Sequence, residues 1–198
     1  GGNFLMNAPN AADYLRMNYG SGNTFFRCVG NYTIQQSSTT VGNGFVGVYG
    51  GSGNMSFVVN NIYTLGAAGT PGRFQGIYNY RNSILTGNLT FTVSTNFNML
   101  NSGSFFRGID NRKTDNSGTI TFNVGSLIYS GGNFSGYYSS HTAGGTANFT
   151  MAGLLQITFT SAATDTFTFI GQTTVGAAVS NLKLNVTVSG NFNITGPS

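Results

Sequence analysis

The acidic side chains limit the catalysis that this chain can perform. Its 198 residues include four acids, Asp13, Asp110, Asp115 and Asp165. Cleavage of a polysaccharide generally needs two or three carboxylates that converge on one site, or acids that hold Ca²⁺ beside a basic group. Only Asp110 and Asp115 are close in sequence, and Arg107, Arg112 and Lys113 surround them. We expect this cluster to form local ion pairs in a solvated loop.

The single histidine and the single cysteine add little reactive chemistry. His141 lies in GYYSSHTAGG with no nucleophile-elbow pattern and no orienting carboxylate nearby in sequence, so we expect a loop histidine. Cys28 has no second cysteine with which to form a disulfide or a multi-cysteine metal site, and we expect a buried small residue there. The sequence therefore predicts no enzyme, no cofactor and no metal site, and it leaves open whether Asp110, Asp115 or His141 has a chemical role.

The composition predicts an ordered protein with an unusually uncharged surface. Charged residues make up 6% of the chain, whereas 39% of the residues are hydrophobic and 14% are aromatic, which is enough to build a core. The eight basic residues are scattered and give a net charge of +4, so nucleic acid is not an expected partner. No apolar run approaches the roughly 18 residues of a membrane span, and no signal peptide is visible. Since the sequence opens on Gly1-Gly2, we expect a processed chain or an excised fragment.

A short Phe-x-Gly motif recurs about every 30 residues, which is typical of a repeat protein. It begins at Phe45, Phe74, Phe106, Phe134 and, more loosely, Phe169, and FRCVGN at Phe26 is interpreted as a variant with Cys28 in place of glycine. A second marker follows each copy, at Phe57, Phe91, Phe122, Phe149 and Leu184, and a further apolar patch comes about six residues later. Each period is therefore predicted to contain three short strands.

Residue alternation around the second marker indicates which side chains face a core. Leu89, Phe91 and Val93 would point inward, and Thr90 and Thr92 outward. Equivalent residues in successive periods suit coils stacked about 4.8 Å apart, with like residues on like. We predict an all-β fold, a single right-handed parallel β-helix (β-solenoid) domain over residues 1–198 with about six coils. The alternative is an antiparallel β-sandwich or jelly roll, which does not require residue types to recur at this period.

The two ends of the chain are expected to differ from the repeats. Residues 1–20 form a candidate N-terminal cap, either a brief helix with Asn10 as its N-cap or a degenerate coil that starts at Leu15. Residues 181–198 remain strand-like and are predicted to form an edge region. An open strand edge is a site where another subunit can pair.

The pattern G-I-[YD]-N followed by G-x-[LI]-T-F-x-V, found at 76–93 and 108–124, resembles the repeats of known proteins. These are right-handed parallel β-helix surface proteins of bacteria, of the adhesin and autotransporter-passenger types. The resemblance covers roughly residues 25 to 190 and consists of repeated Gly, Asn, Thr and Phe positions. It implies the β-helix fold and an extracellular or cell-surface location, and it implies little about activity.

Two sets of surface residues are candidates for binding. The outward residues beside the second marker form a column of small hydroxyl and amide groups, which resembles the Thr-x-Thr arrays of ice-binding β-helices or serves only to stabilise stacked strands. The tyrosines after the Phe-x-Gly corner would stack on sugars if exposed, or fill the corners if buried. The first set is Thr90, Thr92, Thr121, Asn123, Asn148 and Thr150, and the second is Tyr49, Tyr78, Tyr137 and Tyr138.

Together these features predict a non-catalytic structural or adhesive protein. We expect its main partner to be a second copy of itself, joined through the coil ends into filaments or surface arrays. The alternatives are an ice-binding protein and a β-helix that binds or cleaves carbohydrate, for which ice or glycans would be the partners.

Overall fold

The computed structural model describes residues 2–8, 15–17, 21–36, 43–48, 52–66, 73–79, 86–100, 105–111, 118–139, 146–159, 167–172 and 183–196. Within these ranges all regular secondary structure is β-strand. The strands are β1 (Phe4–Ala8), β2 (Leu15–Met17), β3 (Thr24–Gln36), β4 (Asn43–Val48), β5 (Met55–Gly66), β6 (Arg73–Asn79), β7 (Leu89–Leu100), β8 (Phe105–Asn111), β9 (Thr119–Gly131), β10 (Asn133–Ser139), β11 (Thr146–Met151), β12 (Leu155–Phe159), β13 (Phe167–Gln172), β14 (Lys183–Val188) and β15 (Phe192–Thr195).

The strands form two parallel sheets, between which the chain alternates. The nine-stranded sheet has the order β1-β3-β5-β7-β9-β11-β14, with β12 beside β9 and β15 beside β12, and the six-stranded sheet has the order β13-β10-β8-β6-β4-β2. One strand from each sheet makes one coil, so each coil pairs with the next coil along the chain. This arrangement confirms the predicted β-solenoid, and parallel pairing throughout the described strands excludes the antiparallel sandwich.

In the middle of the protein, two of the three strands predicted in each period are joined into one long strand. In β9 the inward residues of the first half are followed by a short bend at Gly125–Ser126, after which Leu127 and Tyr129 also face inward. The expectation of three separate strands is therefore wrong for β3, β5, β7 and β9. The bend is longer in the last two passages, and it separates β11 from β12 and β14 from β15.

A column of stacked phenylalanine rings runs through the core. The rings of Phe26, Phe57, Phe91, Phe122 and Phe149 follow one another with centroid distances of 5.1, 4.9, 4.9 and 4.9 Å and interplanar angles of at most 12°. Each of the last four rings is fully buried. Such pairs contribute about 0.5–1.5 kcal/mol each beyond the area that they bury. The predicted second marker is confirmed at Phe57, Phe91, Phe122 and Phe149.

Phe26 and Leu184 do not have the predicted positions in the repeat. Phe26 pairs with Phe57 and so belongs to the phenylalanine column, which places Cys28 beside Val59 and makes it an aliphatic position rather than a glycine position. Leu184 pairs with Ala147, and Val186 lies next to Phe149. The error at Leu184 is a displacement of two residues, which preserves the alternation of inward and outward side chains, so the sequence pattern cannot distinguish the two registers. The error at Phe26 is an assignment to the first marker instead of the second, because both begin with phenylalanine.

The Phe-x-Gly marker is correct in the central coils and displaced in the outer ones. Phe74, Phe106 and Phe134 share one position of the six-stranded sheet. In β4 the partner of Phe74 is Asn43 rather than Phe45. In β13 the partner of Phe134 is Phe167 rather than Phe169. Both errors are again shifts by two residues.

Two strands of the N-terminal segment belong to the sheets. Leu15–Met17 pairs in parallel with Val46–Val48. Asn10 and Asp13, which would have marked a capping helix, lie outside the described residues. β1 covers the second half of β3, where Phe4 stacks on Tyr32 at 4.9 Å.

A glycine recurs at the turn before each long strand, and an asparagine follows it before β3, β5 and β7. A Cβ on Gly53, Gly87 or Gly118 would overlap the carbonyl oxygen of the glycine in the preceding coil. The asparagines that follow this glycine join the coils, because the Oδ1 atoms of Asn23 and Asn54 accept the backbone N–H of Asn54 and Asn88, both at 3.0 Å. The close approach of backbones at this turn therefore requires glycine.

We predict that Gly87→Ala destabilises the protein, because the added methyl group forces the coils of β5 and β7 apart at this turn. The free energy of unfolding should fall by about 1–3 kcal/mol, as for other overpacked positions. Gly22→Ala is the matched control, since a Cβ there has no atom within 4 Å. Urea unfolding of both variants tests this, and equal stability of the two would contradict the proposed close approach.

We also predict a loss of stability in alkaline solution that depends on Tyr32. Burial, with a smaller contribution from nearby Cys28, raises the pKa of the Tyr32 phenol well above its usual value of 10.0. The unfolded chain then loses this proton at a lower pH than the folded chain, so the stability from Tyr32 is complete below about pH 10 and falls as the pH rises further. Unfolding free energies across this range should fall less steeply for Tyr32→Phe. Identical slopes would show that Tyr32 is not the group responsible.

Candidate functional site

The outward residues of the first half of each long strand form a flat face, here called the outer face. It has two columns of register-matched residues. One column contains Phe25, Ser56, Thr90, Thr121, Asn148 and Asn185, and the other contains Arg27, Val58, Thr92, Asn123, Thr150 and Thr187. The six Thr and Asn residues selected from the sequence lie together on it, in the three adjacent coils of β7, β9 and β11.

The first row of the outer face consists of Phe25 and Arg27, which pair with Ser56 and Val58 of β5. The face therefore has an exposed aromatic ring and a cation at one end, and small uncharged residues in its centre.

Some side chains of the outer face bond to one another along a column. The Asn148 side-chain N–H donates to Oγ1 of Thr121 at 3.4 Å, and the Asn185 side-chain N–H donates to Oδ1 of Asn148 at 2.7 Å. A second amide ladder connects Asn31 and Asn61 at the bend. Such bonds between successive coils stabilise the stack whether or not the face binds anything.

The backbone register separates the tyrosines of the predicted aromatic corner. Tyr78 and Tyr138 share a ladder position in the six-stranded sheet, with Asp110 in the strand between them. Tyr137 occupies the next position, beside Ile109 and Ile170. Tyr49 lies outside the described residues. No two of the three placed tyrosines are therefore direct partners in adjacent coils.

The polar residues that suggested chemistry are divided between β8 and residues outside the described ranges. Arg107 and Asp110 lie in β8, whereas Asp115, Arg112, Lys113 and His141 fall outside those ranges. Across the residues that are described, no group of three His, Cys, Asp or Glu side chains could hold a metal ion. The same residues include no helix with the length and apolar character needed to cross a membrane.

The last coil leaves the end of the core uncovered within the described structure. β14 pairs with β11, and β15 pairs with β12. No other described strand pairs with β14 or β15. Val186, Phe192 and Ile194 continue the inner columns of Phe149, Leu155 and Ile157, which are fully buried. The three nevertheless remain 38, 46 and 43% exposed. This end presents apolar side chains beside a row of backbone hydrogen-bonding groups, and the two together form a surface that can accept a strand.

A depression of about 220 Å³ lies at the bend between the two halves of the long strands, and we call it the corner notch. Its lining residues are Arg27, Cys28, Val29, Val58, Val59, Asn60 and Ser94. No residue pattern predicted the notch, because it lies between bends of different length. Bend lengths can be compared only when the strand register is known.

Comparison of the chain with protein-family models, with curated proteins and with solved structures gave no match. The function is therefore inferred from the geometry of the chain itself.

We predict that Asn148→Ala lowers the free energy of unfolding by about 1 kcal/mol, because it removes the hydrogen bonds to Thr121 and Asn185. Asn123→Ala is the matched control on the neighbouring column of the same face. It should cost clearly less, since no side-chain hydrogen bond to Asn123 is seen among the described residues. Chemical denaturation measures both, and a cost for Asn123→Ala as large as that for Asn148→Ala would contradict the amide ladder.

Proposed function

We propose that this protein is a non-catalytic structural or adhesive β-solenoid, located outside the cell or on its surface, that associates with further copies through its last coil. The observation that carries the proposal is the exposure of Val186, Phe192 and Ile194, whose partners Phe149, Leu155 and Ile157 in the preceding coil are fully buried. An exposed parallel edge with apolar side chains favours the addition of another strand.

The N-terminal edge of a second copy suits this position. β1 and β15 lie at opposite ends of one column of paired strands. Phe4 of β1 pairs with Tyr32 at the start of this column, and Phe192 of β15 pairs with Leu155 at its end. Addition of β1 to β15 would place Phe4 of the next copy beside Phe192 and continue the column. A head-to-tail interface between two different surfaces extends into a filament unless the rotation between copies closes a ring. Addition of each copy along the direction in which the coils stack favours the filament.

The composition supports association of this kind. Equivalent residues in adjacent coils are about 4.8 Å apart, so a column of like charges would repel at every step. With 6% charged residues the chain has little such repulsion, and copies also repel one another weakly. The same scarcity of acids argues against a hydrolase or lyase.

Ice binding is the second candidate. It is supported by Thr90, Thr92 and Thr121, which lie in adjacent coils of the outer face. Val58 and Arg27 interrupt the hydroxyl array in the preceding coils. Thermal hysteresis of the purified chain, lost on Thr121→Lys, would support this candidate over the structural one.

We predict that Ile194→Lys weakens association and that Asn193→Lys does not. Both variants add one positive charge to β15, but Ile194 pairs with Ile157 in an inner column and Asn193 pairs with Gln156 on the opposite side of the strand. Sedimentation velocity over a range of concentrations, with electron microscopy of the products, measures the effect. The concentration at which Ile194→Lys assembles should rise at least about tenfold, which corresponds to 1.4 kcal/mol.

Two results would contradict the proposal. The wild-type chain could remain monomeric at all concentrations, or both lysine variants could reduce assembly equally, which would indicate general charge repulsion. Circular dichroism should confirm that each variant is folded.

A further inference from the structure

The corner notch lies at a bend that is shorter than the bends of the two neighbouring coils. Between the two halves of β5 only Asn60 lies out of register, whereas β3 has Val29–Gly30 and β7 has Ser94–Thr95 at the same place. Residues of all three bends line the notch.

The lining of the notch combines apolar and hydrogen-bonding groups. Val29 and Val58 supply apolar surface, and Asn60 and Ser94 supply polar side chains. Oδ1 of Asn60 accepts a hydrogen bond from Oγ1 of Thr95 at 3.3 Å, which fixes the orientation of the amide. A site with these groups suits a ligand that has an apolar surface and several hydroxyls.

Arg27 makes the notch positively charged. Its side chain is exposed, and no acidic residue is among the residues that line the notch. A guanidinium binds a carboxylate through two parallel hydrogen bonds, which gives both strength and orientation. The net charge of +4 also favours the approach of an anionic polymer.

An exposed aromatic ring stands beside the notch on the outer face. Phe25 precedes Arg27 by two residues on the same side of β3 and is 64% exposed. Aromatic rings present a flat apolar surface against which the apolar face of a sugar ring can pack. Below Arg27 and Val58 the column continues as Thr92, Asn123 and Thr150, so small hydroxyl and amide groups lead away from the notch at each coil.

We propose that the corner notch and Phe25 bind a carboxylate-bearing sugar residue of an acidic polysaccharide. Arg27 binds the carboxylate, Asn60 and Ser94 bind hydroxyl groups, and Phe25 packs against a sugar ring. The next sugar residues lie along the outer face. This site does not include the last coil, so the inference does not depend on association between copies.

The test is isothermal titration of the full chain with a short oligogalacturonate and with the neutral oligogalactoside of the same length. The acidic oligomer should bind, and the neutral one should bind at least about tenfold more weakly, which is a difference of 1.4 kcal/mol. Arg27→Gln should weaken binding of the acidic oligomer by a similar factor, and Phe25→Ala should weaken binding of both oligomers.

Two control variants separate the site from general effects. Lys183→Gln removes one positive charge from β14 at the other end of the same sheet, and Leu5→Ala removes an exposed apolar side chain from β1. Neither should change the binding of the acidic oligomer. Because Phe25, Arg27 and Leu5 are exposed, the three variants at these positions should unfold at the wild-type temperature.

Several outcomes would overturn the proposal. Absence of binding would do so, as would equal binding of the acidic and neutral oligomers. Competition by sodium acetate at the same carboxylate concentration would show a simple anion site. An equal loss in Lys183→Gln and Arg27→Gln would show non-specific attraction to the basic chain.

Discussion

Stacking of equivalent residues at about 4.9 Å is the constraint on which this structure depends. Each side chain in a coil has its counterpart from the next coil as a neighbour, so the positions that repeat favour residues that tolerate their own kind. Phenylalanine rings stack face to face, asparagine amides bond to asparagine amides, and glycines allow backbones to touch at the turn. Charged residues fail this condition, which explains why they form only 6% of the chain.

Distinctive surfaces occur where the repetition is broken. The coils agree closely in the first half of each long strand, and they differ in the length of the bend that follows. The corner notch lies at the short bend of Asn60. At β15 the repetition stops within the described structure, and apolar residues that would be buried in any inner coil remain exposed. Both proposed binding regions thus follow from the same architecture, although they are independent of each other.

The sequence was sufficient for the parts of the fold that repeat. Alternation and recurrence predicted the parallel solenoid, the core positions of Phe57, Phe91 and Phe122, and the outward column that contains Thr90 and Thr121. They did not give the register at the outer coils, because a shift of two residues keeps every side chain on its own side. They also missed the notch and the continuous long strands, since bend length has no signal in residue type. Phe26 illustrates the difficulty, because both markers begin with phenylalanine.

Amide hydrogen exchange along the chain, measured by mass spectrometry at low and high protein concentration, tests the central claim most directly. At low concentration the amides of the inner strands β7 and β9 should be the most protected. The amides of β14 and β15 should exchange fastest, because no further described strand pairs with their outer edge. At high concentration, protection should appear in β15 and β1 together. Protection of β15 equal to that of β9 at every concentration, or exchange in β15 that never slows, would contradict the proposed addition of a second copy.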